Sequence, residues 1–468
     1  MPIRETLDLF RDVTDRLLDA EQKQPVAPYL PSEEMYDRLD LVPGDDPVDP
    51  EDFRTALEEL VLHTPRTATD AFFNQLFGGR NDKAVLGDLL AVLLNNSMYT
   101  YKAAGPMIGI EKAMLRLIID RIGWGQEAEG TIATGGSMTN FMGLLMARDA
   151  AVDDMTRNGV REPLIIYTSE ESHYSIPKNA SFAGIGRDNV RYIPADDQGR
   201  MRTDRLRAAI EDDRANGLRP IMVNATAGTT VMGAFDPIAE IADICTEFGI
   251  WCHVDGAYCG SVLLSDQLRH LIDGVERVDS FTLNAHKMLG TPLTCSIIVV
   301  KDKNHLYQSF SNEASYLYQT HFDDFNPGKI SLQCGRRNDA LKLWTLWKQV
   351  GTRGLADMVE HQFHLGQVAR DYIRDHDDYT LYSYDQSVSI CFNYRDIPAA
   401  ALCNALYEES EMMVGYGRFH GDEFVRFVTI NAQNDEEDIL RFFRTLERFA
   451  DQHGDRLRAT PEHTPASS

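Results

Sequence analysis

Apolar and polar positions change their period twice along the chain. In MPIRETLDLFRDVTDRLLDAE, Leu7, Phe10, Leu17 and Leu18 fall on one side of a helical pattern, which predicts an amphipathic helix. Helical patches continue to about residue 75 but are interrupted by the prolines of PVAPYLPSEEM and VPGDDPVDP. Residues 1–75 therefore read as a helical arm without a core of its own, expected to pack on another domain or subunit. From 76 to 345 helix and strand patterns alternate. Helical spacing covers Ile108 to Ile122, Met138 to Met155, Arg205 to Asp213 and Pro237 to Glu247. Short β-rich apolar runs fall among them: PLIIYTS, IMVNAT, GIWCHVD, DSFTLNAH and CSIIVV. Unbroken apolar strands alternating with helices predict a mostly parallel sheet covered on both faces. Residues 346–468 read as a long helix, GLADMVEHQFHLGQVARDYIRDH, then strands at VSICFNY and FVRFVTI, then a last helix, DEEDILRFFRTLERFA. The expected class is α/β: a large, mostly parallel domain, a smaller C-terminal α+β domain and an N-terminal helical arm.

Composition narrows the function. With 468 residues and 43% hydrophobic content the chain can build a large core. A net charge of -26 argues against nucleic acid and anionic membrane surfaces as partners. No apolar run approaches the ~20 residues that span a bilayer. The first residues lack the apolar core of a signal peptide, so a cytoplasmic location is expected. The seven cysteines are scattered, without CxxC spacing, which predicts reduced thiols and no zinc site. His361 and His364 share a helix face with no third ligand nearby in sequence, so no metal is expected.

The chemistry gathers at predicted strand ends. The chain has 11 lysines against 35 arginines, yet NAHKMLG places Lys287 just past a buried strand. A buried lysine loses proton affinity and becomes a nucleophile able to form a Schiff base. In parallel sheets ligands lie off the carboxyl ends of the strands. Asp255 follows GIWCHV at such an end, where a carboxylate could hold the proton of a pyridinium nitrogen. Ala257 beside it is small enough for a flat ring. TIATGGSMTNF opens a helix with two glycines and a serine, a cup for phosphate. His173 in ESHYS could stack on a ring, and Thr226 in NATAGTTVMGAFDPI could reach a phenolic oxygen. Each feature alone has an ordinary explanation: a salt-bridge lysine, an N-cap, a capped helix, a structural histidine, a turn. Their order along one chain favours a pyridoxal phosphate site.

With these motifs the chain resembles the group II pyridoxal phosphate-dependent amino acid decarboxylases, which have fold type I. FFNQLFGG, MYTYKAAGP, TAGTTVMGAFDP, NAHKM and QCGRRNDALKLW carry the likeness, which runs from Phe72 to FVRFVTINA. It is nearest to the branch of glutamate and cysteine sulfinate decarboxylases. The resemblance implies that pyridoxal 5'-phosphate is held by Lys287, paired with Asp255 at its ring nitrogen and stacked under His173. Gly136 and Ser137, with Asn284 and His286, would bind the phosphate. Thr226 would lie near the 3-hydroxyl and Ala257 under the ring. Tyr316 matches a catalytic-loop tyrosine that returns a proton to the α-carbon, and the segment 312–337 resembles that mobile loop. In the family the loop reaches the neighbouring subunit of a homodimer. Arg426 matches an arginine that binds a substrate carboxylate, and Gln75 a polar residue on the substrate side. The expected substrate is an acidic amino acid: glutamate, aspartate or cysteine sulfinate. An aromatic or diamino acid is the alternative. Two departures stand out. Ala285 replaces the branch's proline, and Lys102 stands where the branch has glutamate.

Overall fold

The computed structural model describes residues 2–311 and 323–459. Twelve strands occur among them. They are β1 (Phe72–Phe73), β2 (Glu129–Ala133), β3 (Leu164–Ser169), β4 (Val190–Ile193), β5 (Arg219–Thr226), β6 (Trp251–Gly256), β7 (Ser280–Asn284), β8 (Ser296–Val300), β9 (Tyr379–Leu381), β10 (Ser389–Tyr394), β11 (Met413–Phe419) and β12 (Asp422–Val428). The chain forms two compact units. The larger comprises Arg80–Gln367 and Ser383–Ser389, and the smaller holds the remaining described residues.

The larger unit is built on a seven-stranded sheet of order β2-β8-β7-β6-β5-β3-β4. From β7 to β4 every pairing is parallel, and only β8 runs against its neighbours. Every residue of β3, β6, β7 and β8 is buried, which explains why apolar residues predominate on both faces of these strands. The helix Gly136–Ala151 packs across the middle of this sheet. Two polar segments are fixed by buried charge. Arg336 pairs with Glu111 at 2.5 Å and donates to the Met98 and Ile132 carbonyls at 3.0 and 2.9 Å. Lys342, fully buried, lies 3.1 Å from Asp88 and 3.0 Å from Asp339. The QCGRRNDALKLW motif is thus structural in this fold.

Residues 312–322 of the expected lid lie outside the described residues, and from Asn326 on its C-terminal part is held in place. Asn326 Oδ1 accepts from the Tyr101 amide at 3.2 Å, and the Gly328 amide donates to the Tyr99 carbonyl at 2.9 Å. Gly328 lies against the Tyr99 ring with no room for a Cβ. MYTYKAAGP therefore anchors the end of that segment. Lys102 is exposed on the short helix Tyr101–Ala104.

The smaller unit has a five-stranded sheet of order β1-β11-β12-β10-β9. Phe73, Phe427 and Phe442 pack together on it, with ring centroids 4.2 to 5.2 Å apart. The helix Glu436–Arg458 supplies Phe442 and starts with a capping box between Asp435 and Asp438. The N-terminal residues belong to this unit. The helices Ile3–Lys23 and Pro50–His63 are joined by Arg54 and Asp12 at 3.3 Å, and Val26 shares a core cluster with Phe72 and Met413. The FFNQLFGG motif is explained here by packing. Phe72–Phe73 pairs with β11, and a Cβ on Gly79 (φ +71) would collide with Asn431 and Ala432.

Candidate active site

β3, β5, β6 and β7 run parallel, so their carboxyl ends and the loops beyond them meet at one edge of the sheet. Register sets Thr226 of β5 beside Asp255 of β6. A cavity of about 200 Å³ opens there, and all nine residues expected to bind the cofactor line it.

One end suits a phosphate. The helix Gly136–Ala151 enters through Gly135 at φ +85 with no side-chain cap, so no side chain covers the Gly136 and Ser137 amides at its start. Gly136 and Ser137 lie here, with Asn284 and His286 opposite. A Cβ on Gly136 would stand 2.9 Å from Asn284 Nδ2 and 3.1 Å from Ala257 Cβ. Asn284 is buried, and its Oδ1 has no partner among the described residues. A cradle closed to one methyl and an orphaned buried acceptor fit a bound polar group. His286 Nδ1 meets the Cys295 amide at 2.9 Å. Burial, then the charge of Lys287, pushes the His286 imidazole down to about 4, so it is neutral at pH 7.

The middle suits a flat ring with a basic nitrogen. Ala257 and His173 line it. Asp255 Oδ1 accepts from the Ala257 amide at 3.0 Å, and Oδ2 accepts from Asn140 Nδ2 at 2.7 Å. His173 Nδ1 accepts from the Ser175 amide at 3.2 Å. Burial holds the His173 imidazole below its ordinary value, with Asp255 opposing. Thr226 Oγ1 shares a hydrogen bond with Ser172 Oγ at 3.1 Å, while its amide donates to Asp236 at 2.7 Å. Lys287 Nζ faces the Tyr258 ring, 5.8 Å from its centroid. Burial lowers the proton affinity of this amine, against the pull of Asp255 and then Cys259. An amine of lowered proton affinity, a carboxylate and the start of a helix therefore surround one small cavity. A larger cavity of about 370 Å³ beside the starts of β5 and β6 contains none of these residues. Its Arg219 and Arg277 are engaged by Glu162 and Asp243.

The proposed substrate residues lie in the smaller unit. Arg426 of β12 registers with Gly415 and donates to the Asn74 carbonyl at 2.8 Å. Gln75 lines a cavity of about 440 Å³ with Asn74 and Gly415. Tyr316 lies outside the described residues. Asn140, Ser172 and Tyr258 were not anticipated. Asn140 and Tyr258 stand inside the motifs of Gly136 and Asp255, and Ser172 directly precedes His173, but their direction depends on helix phase and loop path. Ala285 also gains a reason. It is fully buried and its amide donates to the Cys295 carbonyl at 2.9 Å, a bond that proline could not make. His361 and His364 are exposed, and no cluster of metal-ligating residues occurs among the described residues.

A fold-type-I sheet with a lysine at this edge defines a class, and residues 39–395 match the pyridoxal-dependent decarboxylase conserved domain. The chain belongs to that family, and it is a pyridoxal phosphate-dependent amino acid decarboxylase. It is 35% identical to cysteine sulfinic acid decarboxylase of Homo sapiens over 452 residues, 91% of each chain. It is 34% identical to the human acidic amino acid decarboxylase GADL1, covering 92% of this chain and 87% of that one. The crystal structure of mouse CSAD superposes with a TM-score of 0.90 at 33% identity, covering 96% of this chain and 98% of that one.

Proposed function

We propose that this enzyme removes the α-carboxylate of an acidic L-amino acid (glutamate, aspartate or cysteine sulfinate), giving the amine and carbon dioxide. The convergence of Lys287 and Asp255 with the Gly136–Ser137 helix start on one cavity carries the cofactor assignment. Bound pyridoxal phosphate supplies an electron sink for the pair released as carbon dioxide leaves. Lys287 Nζ, kept poor in protons by burial, would be the residue that holds the cofactor. Asp255 holds a proton at the ring nitrogen. The amides of Gly136 and Ser137, with Asn284 and His286, bind the phosphate. Thr226 orients the 3-hydroxyl edge, while Ala257 and His173 confine the ring. Tyr316 would deliver a proton to the α-carbon, backed by His173.

Substrate class rests on Arg426 and on the names of the relatives. A guanidinium fork suits a second carboxylate or a sulfinate and disfavours a cationic side chain. Gln75 adds a polar contact on the substrate side. The working form is a homodimer in which the loop bearing Tyr316 serves the neighbouring subunit. The helix Asp82–Leu94 supports this, because Leu86, Leu90, Leu93 and Leu94 are all more than 40% exposed. A reducing, cytoplasmic setting agrees with seven free cysteines, of which six are buried. No described helix is long and apolar enough to cross a membrane. A carbon dioxide release assay across glutamate, aspartate, cysteine sulfinate, tyrosine and diaminobutyrate tests the substrate class. Turnover of tyrosine alone would defeat the argument from Arg426.

A further inference from the structure

Asp255 ends a chain of buried side chains that runs away from the cavity. Trp251 Nε1 donates to Ser280 Oγ at 2.9 Å. Ser280 Oγ lies 2.8 Å from His253 Nδ1, and His253 Nε2 lies 3.1 Å from Asn140 Oδ1. Asn140 Nδ2 then donates to Asp255 Oδ2 at 2.7 Å and to Ser175 Oγ at 3.2 Å. Sheet register builds the middle of the chain, since His253 of β6 and Ser280 of β7 are paired residues. Gly143 admits the imidazole, because a Cβ there would stand 2.8 Å from His253 Nδ1. Ser280 and His253 are fully buried, and Asn140 is 1% exposed.

The direction of the protons follows from the ends. Indole N–H can only donate, and an ionised carboxylate can only accept. With Asp255 ionised, Asn140 must turn its NH₂ to the carboxylate and its oxygen to His253. Neutral His253 must then carry its proton on Nε2 and accept at Nδ1 from the Ser280 hydroxyl. Reversing any one link would set two acceptors or two donors face to face in a buried site. Burial, only partly opposed by Asp255, pushes His253 down to about 4, so the neutral ring is the form present at pH 7.

We propose that Asn140, oriented by His253 and Ser280, is a positioning residue whose N–H fixes Asp255 Oδ2 and thereby favours the proton on the cofactor's ring nitrogen. This rests on the reading of Asp255 as the partner of that nitrogen. A donor to a carboxylate stabilises its charged form and lowers its appetite for a proton. Without the Asn140 N–H, the shared proton moves toward Asp255 and the electron sink weakens. Asn140 lines the cofactor cavity, whereas His253 and Ser280 do not, so a merely structural role for those two would leave the ring's protonation unchanged.

The test is the nitrogen-15 resonance of the ring in holoenzyme reconstituted with ring-labelled pyridoxal phosphate. In Asn140→Leu, which keeps the volume, the resonance should move downfield toward neutral pyridine. The cofactor dissociation constant should rise about tenfold, as expected for losing a hydrogen bond to a charged group. His253→Phe, which keeps a ring but neither nitrogen, should shift the resonance the same way by a smaller amount. Asp255→Asn separates this proposal from the reading beneath it. If Asp255→Asn retains the wild-type pyridinium signal, Asp255 is not the ring's partner. If Asp255→Asn loses that signal while Asn140→Leu keeps it, the positioning role fails. A shift in Asn140→Leu with none in His253→Phe would overturn the orienting role of His253. Should Asn140→Leu not fold, Gly143→Ala displaces the His253 ring from the other side and must move the resonance downfield as well. An unmoved resonance there would equally refute the relay.

Discussion

Replacing Gly136 by alanine tests the phosphate cradle. The new methyl would meet Asn284 Nδ2 at 2.9 Å and Ala257 Cβ at 3.1 Å. Neither neighbour can easily give way. Ala257 has no rotamer to change, and Asn284 is 2% exposed. The backbone of Gly136 is not in the left-handed region, so alanine adds no backbone strain and suits a helix better than glycine. The damage is confined to the cradle. Overpacking of this kind costs about 1–3 kcal/mol, and a shift of the cradle that forfeits as much on the phosphate would weaken cofactor affinity roughly 5- to 150-fold. The assay is titration of stripped apoenzyme with pyridoxal phosphate, followed by growth of the visible absorption band. A thermal melt of the apoenzyme runs beside it. We expect weaker cofactor binding together with an apo melting temperature lowered by roughly a few degrees, because the same crowding is present without cofactor. Unchanged affinity would refute the placement of the phosphate at this helix start.

Three further outcomes are expected. Arg426→Gln should lower kcat/KM for the acidic substrate by roughly 30- to 1000-fold, the effect of about 2–4 kcal/mol from losing one partner of a charge pair. Cofactor titration should not change in that variant; equal loss of both would place Arg426 in the fold rather than on the substrate. Tyr316→Phe should keep its cofactor and its visible band while losing most carbon dioxide release, and undiminished turnover would remove the tyrosine from the reaction. His253 is a base whose proton affinity falls on folding, to about 4 from an ordinary value near 6.5. The unfolded chain therefore binds more protons between those values, so this residue's contribution to stability is complete above about pH 6.5 and is lost as pH falls toward 4. Urea unfolding of apoenzyme should show wild type losing about 2 kcal/mol more than His253→Phe between pH 7 and pH 5. A constant difference would contradict a buried, neutral His253.

The strands of the large sheet were readable because β3, β5, β6, β7 and β8 are short, mostly apolar runs that are buried almost throughout, a consequence of cover on both faces. β4 escaped notice because it is an edge strand whose Tyr192 is 54% exposed, so its sequence lacks the continuous run. β11 was missed for a similar reason, its second half, Tyr416–Arg418, being exposed or half-buried. The long helix Ala340–Arg374 was read only from Gly354 onward. Gly351 breaks it at φ 70, and the earlier part is tied down by Lys342. Lys287, Asp255 and the Gly136 helix start were legible because residue type and strand-end position both point to chemistry. Asn140, His253 and Ser280 were not. Each is an ordinary polar residue whose meaning comes from register between β6 and β7 and from the phase of a helix, neither of which local sequence specifies.

The central claim is that Lys287, among 11 lysines, holds the cofactor. Borohydride reduction of the yellow holoenzyme, followed by proteolysis and mass spectrometry, tests it directly. The account predicts one phosphopyridoxyl group, on the peptide containing His286, Lys287 and Met288, and none in Lys287→Ala. The label on any other lysine, or its persistence in Lys287→Ala, would contradict it.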